Sequence, residues 1–317
     1  MKKIDLWMLA CLLLITAACK KDVSGTSGDG DGEPTPVTEF KANTTYYGGK
    51  NQVRFIVGDL SSPIILASPH DGTLAPSDMP IRDHKDAVIV QDINLTDLTI
   101  KIANSIKAKT GIRPHVIIND VARARMEPNR SLEEAYHKSE AANKLWREYH
   151  AFLAAAKSMV QKNAGRGLFL DMHGHGHTKK RVEVGYLISA SNLDGPDQSL
   201  NGLATSSSIY HLSTISPYSL SQLIKGDFAF GTLLEEQGIE AVPSKQQPKV
   251  NGDDYFNGGY CTLTYGSRNG GTVSAIQLET HGTNFRNSPT ERTASAPKVA
   301  DAIIKYMKNH YGFFLDK

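Results

Sequence analysis

One short stretch of the sequence gathers residue types that bind metals and transfer protons. Residues 167–177 read GLFLDMHGHGH, an apolar run that ends in Asp171 and three histidines. The apolar part predicts a short buried strand, and the glycines beyond it favour a sharp turn where the strand ends. Open α/β sheets bind their ligands at the carboxyl ends of strands. The stretch therefore predicts a functional site at His173.

Two other stretches have the same form. Residues 63–72 read PIILASPHDG and residues 273–282 read VSAIQLETHG. Each apolar run places a histidine or a glutamate just before a glycine turn, and we expect the three strand ends to form one site. A single histidine at a strand end has a structural role more often than a functional one. Two such histidines, His70 and His173, together with Glu279 favour a functional site instead.

Histidine and carboxylate are the usual ligands of hydrolytic zinc sites, which use about three protein ligands and leave one position open for water. We predict His70 and His173 as the first two ligands. The third remains open, because a carboxylate in this region could equally cap a helix or stabilise a turn. The candidates are Asp71, Asp78 and Asp92.

Glu279 ends a strand that is otherwise apolar, so its charge must face a cleft, a metal or a compensating partner. Beside metal-activated water it would act as a general base and then protonate the leaving amine. The alternative is an ion pair with Arg286 or Arg292.

A polar cluster follows the predicted strand that ends near Asp120, and its members are Arg123, Arg125, Asn129 and Arg130. Guanidinium groups bind carboxylates in bidentate fashion, which indicates a substrate with a free carboxylate. A solvated, charged surface would have the same composition.

Two further features would fit the same cleft. Residues 254–260 form a glycine-rich aromatic loop that could close over a substrate, so that Tyr260 would hydrogen-bond the reacting group. A packed surface turn is the alternative. Arg181 and Glu183 could orient His173 or His175. The glycines that separate His173, His175 and His177 argue against a rigid site formed by all three.

The first residues predict export. Lys2 and Lys3 precede an apolar run, residues 6–15, that is too short to span a bilayer. The small residues before Cys19 resemble the lipobox of bacterial lipoproteins. We therefore expect a signal peptide over residues 1–18, lipid on Cys19 and a flexible tether over residues 19–39. The protein would be anchored to a membrane of the cell envelope, with the outer membrane favoured.

Composition narrows the remaining possibilities. The net charge of +2 and the lack of a basic cluster argue against a nucleic-acid partner. Residues 40–317 are long enough for one large domain. Cys261 would be its one cysteine, so no disulfide framework is expected.

A Cys261–His281 hydrolase is an alternative, disfavoured because no helix start is predicted near Cys261 to lower its pKa. A serine hydrolase is disfavoured because the chain has no GxSxG elbow.

Strand and helix patterns alternate along the domain, which predicts an α/β fold with a largely parallel sheet and helices on both faces. The predicted strands include residues 53–57, 64–67, 87–90, 115–118 and 182–188. One predicted helix is capped by Asn94 and ends at Gly111. The other predicted helices are residues 131–163, 219–237 and 289–310, and Pro297 indicates a break in the last of them.

The order of these motifs resembles the N-formylglutamate amidohydrolase family, which belongs to the zinc carboxypeptidase-like superfamily. The matching motifs are PHDGTLAP at 69–76, Asp92, Asn129-Arg130 and LDMHGH at 170–175. The likeness extends over residues 60–310. It implies a three-layer α/β/α sandwich around a mixed eight-stranded sheet, one zinc ion, and hydrolysis of an amide bond next to a carboxylate.

The resemblance also implies a role for each matching residue. His70 and His173 would bind zinc, and Glu279 would be the general base. Asn129 and Arg130 would bind the substrate carboxylate, and Arg125 or Arg123 would polarise the scissile carbonyl.

The chain departs from the carboxypeptidase pattern at Thr73, where a glutamate ligand would be expected. We favour Asp92 as the replacement, because it precedes the helix that this glutamate would begin, with Asp78 in reserve.

Together these features predict an exported zinc amidohydrolase or peptidase. Its substrate would be an acyl-amino acid, a γ-glutamyl compound or a cell-wall peptide. The alternative is a non-catalytic binding module that keeps the fold without zinc.

Overall fold

The computed structural model describes residues 39–315. The predicted signal peptide, Cys19 and all of the predicted tether except Glu39 lie outside these residues. Within 39–315, no helix is both long and apolar enough to cross a membrane.

Eight strands form one mixed sheet in the order β1-β2-β4-β3-β5-β8-β6-β7. The strands are β1 (Thr45–Gly48), β2 (Val53–Ile56), β3 (Ile64–Ser68), β4 (His115–Asn119), β5 (Gly167–Gly174), β6 (Val182–Gly185), β7 (Ala241–Val242) and β8 (Val273–Thr280). The central neighbours β4, β3, β5 and β8 run parallel, as do β6 and β7. The pairs β1–β2, β2–β4 and β6–β8 are antiparallel. The predicted mixed, largely parallel sheet is confirmed.

Helices cover both faces of the sheet, which gives the predicted three-layer α/β/α arrangement. The helices are α1 (Leu95–Thr110), α2 (Glu140–Asn163), α3 (Ala190–Asp194), α4 (Asp197–Asn201), α5 (Tyr210–Ile215), α6 (Leu220–Lys225), α7 (Phe230–Glu235), α8 (Tyr260–Tyr265) and α9 (Pro289–Tyr311). Short 3₁₀ turns occupy Ala204–Ser206 and Ser267–Asn269. One core packs α1, α9 and α3–α7 against the sheet, and the other packs α2 and α8.

The central strands are largely apolar, because both of their faces are buried, and their polar residues stand mainly at the carboxyl ends. In β3, Ile64 and Leu66 face the core that contains α1 and α9, whereas Ile65 and Ala67 face the core that contains α2. The alternation of strand side chains thus divides one apolar run between two layers. Glycine turns at the ends of these strands then carry the polar residues.

Two predicted elements differ from the structure. Residues 87–90 form no strand, and Val90 is 71% exposed there. The predicted helix 131–163 begins only at Glu140, because Tyr136 has a left-handed φ of 53° that a helix cannot contain. The Ser139 side chain accepts a hydrogen bond from the backbone N–H of Ala142 and so caps α2.

Two further elements are shorter in the structure than the sequence predicts. Residues 219–237 form α6 and α7, which are separated at Gly226, instead of one helix. Strand β6 ends at Gly185 and not at Ile188. Helix α9, in contrast, continues through Pro297 to Tyr311.

Leu170 lies fully buried at the centre of β5, directly below the strand end that carries His173. Leu170→Ala should reduce the free energy of unfolding by about 2–5 kcal/mol, because it leaves a cavity between the sheet and the α1–α9 layer. Leu60→Ala, at a position that is 40% exposed, should change it by no more than about 0.5 kcal/mol. Urea unfolding of the two variants measures the difference. Equal losses would contradict the assignment of β5 to the core.

Candidate metal centre

Three adjacent strands bring the predicted site residues together at one edge of the sheet. The order β3-β5-β8 places His70, just after β3, next to the end of β5 that carries His173. Cα of Glu279 on β8 is in register with Cα of His173. His70, His173 and Glu279 are all at least 94% buried. The expectation that three strand ends meet therefore agrees with the topology.

His70, Asp92 and His173 form a compact group of potential metal ligands. The His70 Nδ1 atom lies 3.2 Å from Asp92 Oδ2, and the His173 Nδ1 atom lies 3.2 Å from His70 Nδ1 and 3.3 Å from Asp92 Oδ2. Tetrahedral zinc with bonds of about 2.0–2.2 Å separates its ligand atoms by about 3.3 Å. The three atoms thus form a nearly equilateral triangle of the size that one such ion requires.

Only one of the three candidate carboxylates is in this group. Asp71 instead caps α1, because its two oxygens accept hydrogen bonds from the backbone N–H groups of Asn94 and Thr96, each at 2.8 Å. The predicted cap, Asn94, makes no capping hydrogen bond with its side chain and has a left-handed φ of 69°. Asp78 is exposed. Asp92 reaches the histidines because its backbone N–H bonds to the carbonyl oxygen of His70.

The charges within the triangle reinforce one another. Burial opposes the ionised form of Asp92, but His70 and His173 hold the pKa of Asp92 well below its usual range. Burial likewise opposes the charged form of His173, yet Asp171 and Asp92 raise the pKa of His173 well above its usual value. The site thus places positive charge between carboxylates, which is where a metal cation would also be favoured.

Each histidine is held from behind by a buried carboxylate. The His70 Nε2 atom lies 2.5 Å from Glu127 Oε1, and the His173 Nε2 atom lies 3.1 Å from Asp171 Oδ1. Glu127 accepts the Nε2 proton of His70, which leaves Nδ1 of that ring free to bind a metal and fixes its orientation. Asp171 Oδ1 contacts Nε2 of His173 without a hydrogen bond, and the amide nitrogen of Asn129 lies 3.1 Å from the same Nε2 atom. Arg123 donates a hydrogen bond to Glu127 from Nε at 2.8 Å.

Sequence reasoning gave no role to Glu127 or Asp171. Asp171 could have been suspected, because side chains two residues apart in a strand lie on the same face and His173 follows it at that spacing. Glu127 is separated from His70 by 57 positions and lies among arginines, which suggested only a charged surface.

Glu279 is buried beside the triangle, and no arginine within residues 39–315 forms an ion pair with it. Gln277 donates a hydrogen bond to Glu279 Oε1 at 2.9 Å. Burial, helped by the negative charges of Asp92 and Glu183, raises the pKa of Glu279 to about 8.

The suggested ion pairs of Glu279 with two arginines are not formed. Arg292 pairs with Asp97 at 2.5 Å, and Arg286 donates to the backbone oxygens of Ile93 and Thr280. Glu279 is therefore left to face the triangle.

The predicted substrate-binding residues lie in different environments. Asn129 is 96% buried, and its side chain contacts His173 Nε2 at 3.1 Å and accepts from the N–H of Cys261 at 2.8 Å. Arg130 is exposed. Tyr260 does not end a loop but begins α8, 5.9 Å from the ring of Trp146.

The two predicted carbonyl-polarising arginines point in different directions. Arg125 donates from Nη1 to the backbone oxygens of Pro76 and Met79, at 3.2 and 2.5 Å. Arg123 lies closer to the triangle, with Nη1 at 3.6 Å from Asp92 Oδ1.

The remaining histidines of the 173–177 tract lie in a second group. His175, His177 and Glu183 bring one potential ligand atom each to within 4.8 Å of one another. The tract is thus shared between two groups, in agreement with the expectation that its three histidines form no single site.

Cys261 is a buried structural thiol. The expectation that no helix begins near it is wrong, since it is the second residue of α8. Complete burial nevertheless raises the pKa of Cys261 well above its usual value, and its Sγ donates to the carbonyl oxygen of Pro128 at 3.4 Å. These properties disfavour the thiol as a nucleophile.

No family model matches this chain, and no curated protein matches it. Among solved structures, it is similar to N-formylglutamate amidohydrolase from Ralstonia eutropha JMP134, with 12% identity and a TM-score of 0.46, over 79% of this chain and 94% of that one. A gene product of Agrobacterium tumefaciens is similar at 11% identity and a TM-score of 0.46, over 81% and 95%. An N-acetylmuramyl-L-alanine amidase from Mycobacterium smegmatis is similar at 12% identity and a TM-score of 0.36, over 78% and 98%. At these identities the similarity concerns the fold.

Glu127→Gln should weaken binding of zinc by about 10–100-fold, because a neutral amide oxygen accepts the Nε2 proton of His70 more weakly than a carboxylate does. Asp171→Asn should weaken it by a similar factor, because it removes the negative charge beside His173. Zinc competition with a chromogenic chelator measures the affinity. Glu133→Gln is the control, since Glu133 is exposed and should bind zinc as the unchanged protein does. Unchanged affinity in both test variants would show that these carboxylates do not support the histidines.

Proposed function

We propose that this protein is a zinc-dependent hydrolase that cleaves an amide bond adjacent to a carboxylate. The observation that carries the proposal is the triangle of His70 Nδ1, Asp92 Oδ2 and His173 Nδ1 beside the buried carboxyl group of Glu279. The choice of an amide bond follows the motif resemblance to N-formylglutamate amidohydrolases.

Zinc held by these three atoms would supply Lewis-acid polarisation of a carbonyl group and a water molecule. The protein's own acid–base group is Glu279, which would take a proton from the attacking water and return it to the departing nitrogen. A carboxyl group with a pKa near neutrality suits both transfers, because it exists in both protonation states at working pH. The pKa of about 8 in the metal-free protein would fall when a cation binds nearby.

Arg123 is the better placed of the two arginines to polarise the carbonyl. It lies beside Asp92, and its Nη1 atom also reaches the backbone oxygen of Val90 at 3.2 Å. Arg125 is engaged with loop carbonyl groups on the far side. In this proposal Arg123 stabilises negative charge on the carbonyl oxygen, and Arg125 holds the loop that contains Met79.

The contacts of Asn129 favour a positioning role for this residue. Its side chain lies against His173 and the start of α8, and Gly259 packs so tightly on it that a Cβ at position 259 would lie 2.3 Å from its Nδ2 atom. Arg130 is exposed and donates from Nη1 to the backbone oxygen of Asn129 at 3.0 Å. In this proposal its guanidinium group binds the substrate carboxylate, and Tyr260 hydrogen-bonds the reacting group.

The compartment narrows the choice of substrate. The sequence of residues 1–19 supports export and a lipid anchor on Cys19, which would hold the domain at the cell envelope. N-formylglutamate itself is a cytoplasmic compound of histidine breakdown. Cell-wall peptides, γ-glutamyl polymers and acylated amino acids are better suited to the proposed location.

A binding module without catalysis is the competing function. Retention of Glu279 argues against it, because burying a carboxyl group with a pKa near 8 costs stability and gives a binding protein no benefit.

Glu279→Gln should retain zinc and reduce turnover by about 10²–10⁴-fold, since the amide cannot accept a proton. His173→Ala should lose both the zinc and the activity. The rates are measured on N-acylglutamates and on cell-wall peptide amides, together with zinc content by mass spectrometry. Full activity in Glu279→Gln would overturn the mechanism. A wild-type protein that binds no zinc, even when zinc is supplied, and hydrolyses none of these amides would favour the binding module.

A further inference from the structure

A second group of metal-binding side chains lies across Glu279 from the first. Strand β8 separates β5 from β6, and Cα of Glu279 is in register with Cα of His173 on one side and of Glu183 on the other. His175 and His177 follow the end of β5 and approach Glu183. The two groups therefore lie on opposite sides of the same carboxyl group.

The three donor atoms of the second group lie close together. The His177 Nδ1 atom lies 2.7 Å from Glu183 Oε1, and the His175 Nδ1 atom lies 3.8 Å from the same oxygen. Zinc and similar divalent ions separate their ligand atoms by about 3.3 Å. Each of these two distances differs from that spacing by about half an ångström. Side-chain movements of about that size would bring both distances to the value that a bound ion requires.

The protein orients two of these donors. The His175 Nε2 atom donates to the backbone oxygen of Arg181 at 2.8 Å, which leaves Nδ1 without a proton and available as a ligand. The second oxygen of Glu183 accepts from the N–H of Phe256 at 2.7 Å, which turns the first oxygen toward the histidines.

One existing hydrogen bond would break when a cation binds to the second group. The backbone N–H of His177 donates to His175 Nδ1 at 3.2 Å. The turn has room to move away, because Gly176 is exposed and no atom lies within 4 Å of the position that a Cβ would occupy there. The His177 ring stacks on Phe256 at 4.6 Å between centroids, which would keep it over the site.

Electrostatics favour a cation at this place. Glu183 and Glu279 are 99% and 94% buried on neighbouring strands, and the charge of Glu183 contributes to raising the pKa of Glu279. Among residues 39–315, Glu183 forms ion pairs with His175 and His177 and with no arginine or lysine. Buried carboxylates are unfavourable unless they are paired or bind a metal.

We propose that Nδ1 of His175, Nδ1 of His177 and Oε1 of Glu183 bind a second divalent cation, separate from that of His70, Asp92 and His173. Two imidazoles and one carboxylate suit zinc or a similar first-row ion. This inference does not depend on the proposed hydrolase activity, because it concerns the occupancy of the second group alone.

The test compares zinc stoichiometry among variants of the full chain, purified without a metal-binding tag and dialysed against excess zinc. We expect two equivalents in wild type and one in each of His177→Gln, Glu183→Gln and His70→Ala. The control is His211→Gln, a half-buried histidine of α5, which should retain two. Cobalt titration, followed by visible absorption, should lose one set of bands in His177→Gln.

Any result in which His177→Gln binds as many equivalents as wild type overturns the proposal. One equivalent in wild type that is lost in His177→Gln and kept in His70→Ala would support the second site and contradict the first. Because Glu183 is buried, its variant could fail to fold. His177→Gln changes a partly exposed side chain and decides the question by itself, with circular dichroism as the check on folding.

Discussion

Two buried carboxylates lie behind the histidines of the candidate metal centre, at their far nitrogen atoms. Glu127 accepts a hydrogen bond from Nε2 of His70, the Asp171 carboxylate lies 3.1 Å from Nε2 of His173, and both Nδ1 atoms face Asp92. Without these contacts the imidazole rings could rotate, and the triangle of donor atoms would not be preformed.

This arrangement concentrates negative charge at one edge of the sheet. Five carboxyl groups with at most 6% exposure converge there: Asp92, Glu127, Asp171, Glu183 and Glu279. Arg82 and Arg123 contact Glu127 and offset part of the charge. A buried excess of carboxylates destabilises a fold unless cations compensate it. Bound divalent metal would provide that compensation, which connects the stability of this edge with its proposed chemistry.

The sequence predicted the location of the site because the signal was local. Each of β3, β5 and β8 is an apolar run followed by a glycine turn, and parallel neighbours place such turns at one edge. The sequence favours Asp92 as the carboxylate ligand but leaves Asp78 in reserve, and only the fold shows that Asp78 is exposed and that Asp71 caps α1.

Contacts between segments that are distant in the sequence could not be predicted. The pairing of Glu127 with His70 and the burial of Asn129 against His173 depend on how the loop 121–139 folds back over the sheet. No periodicity marks such a loop. The same limit explains residues 87–90, whose apolar composition resembled a strand although no neighbouring strand is present to pair with them. Local patterns identified elements, and tertiary contacts decided which polar residues serve the site.

The most direct test of the central claim is an anomalous-scattering experiment at the zinc edge on crystals of the protein grown with zinc. The account predicts a peak about 2.0–2.2 Å from each of His70 Nδ1, His173 Nδ1 and Asp92 Oδ2. The contrary result is zinc bound at full occupancy elsewhere, with no peak between these three atoms and the atoms still in contact with one another. That result would contradict the proposed metal centre.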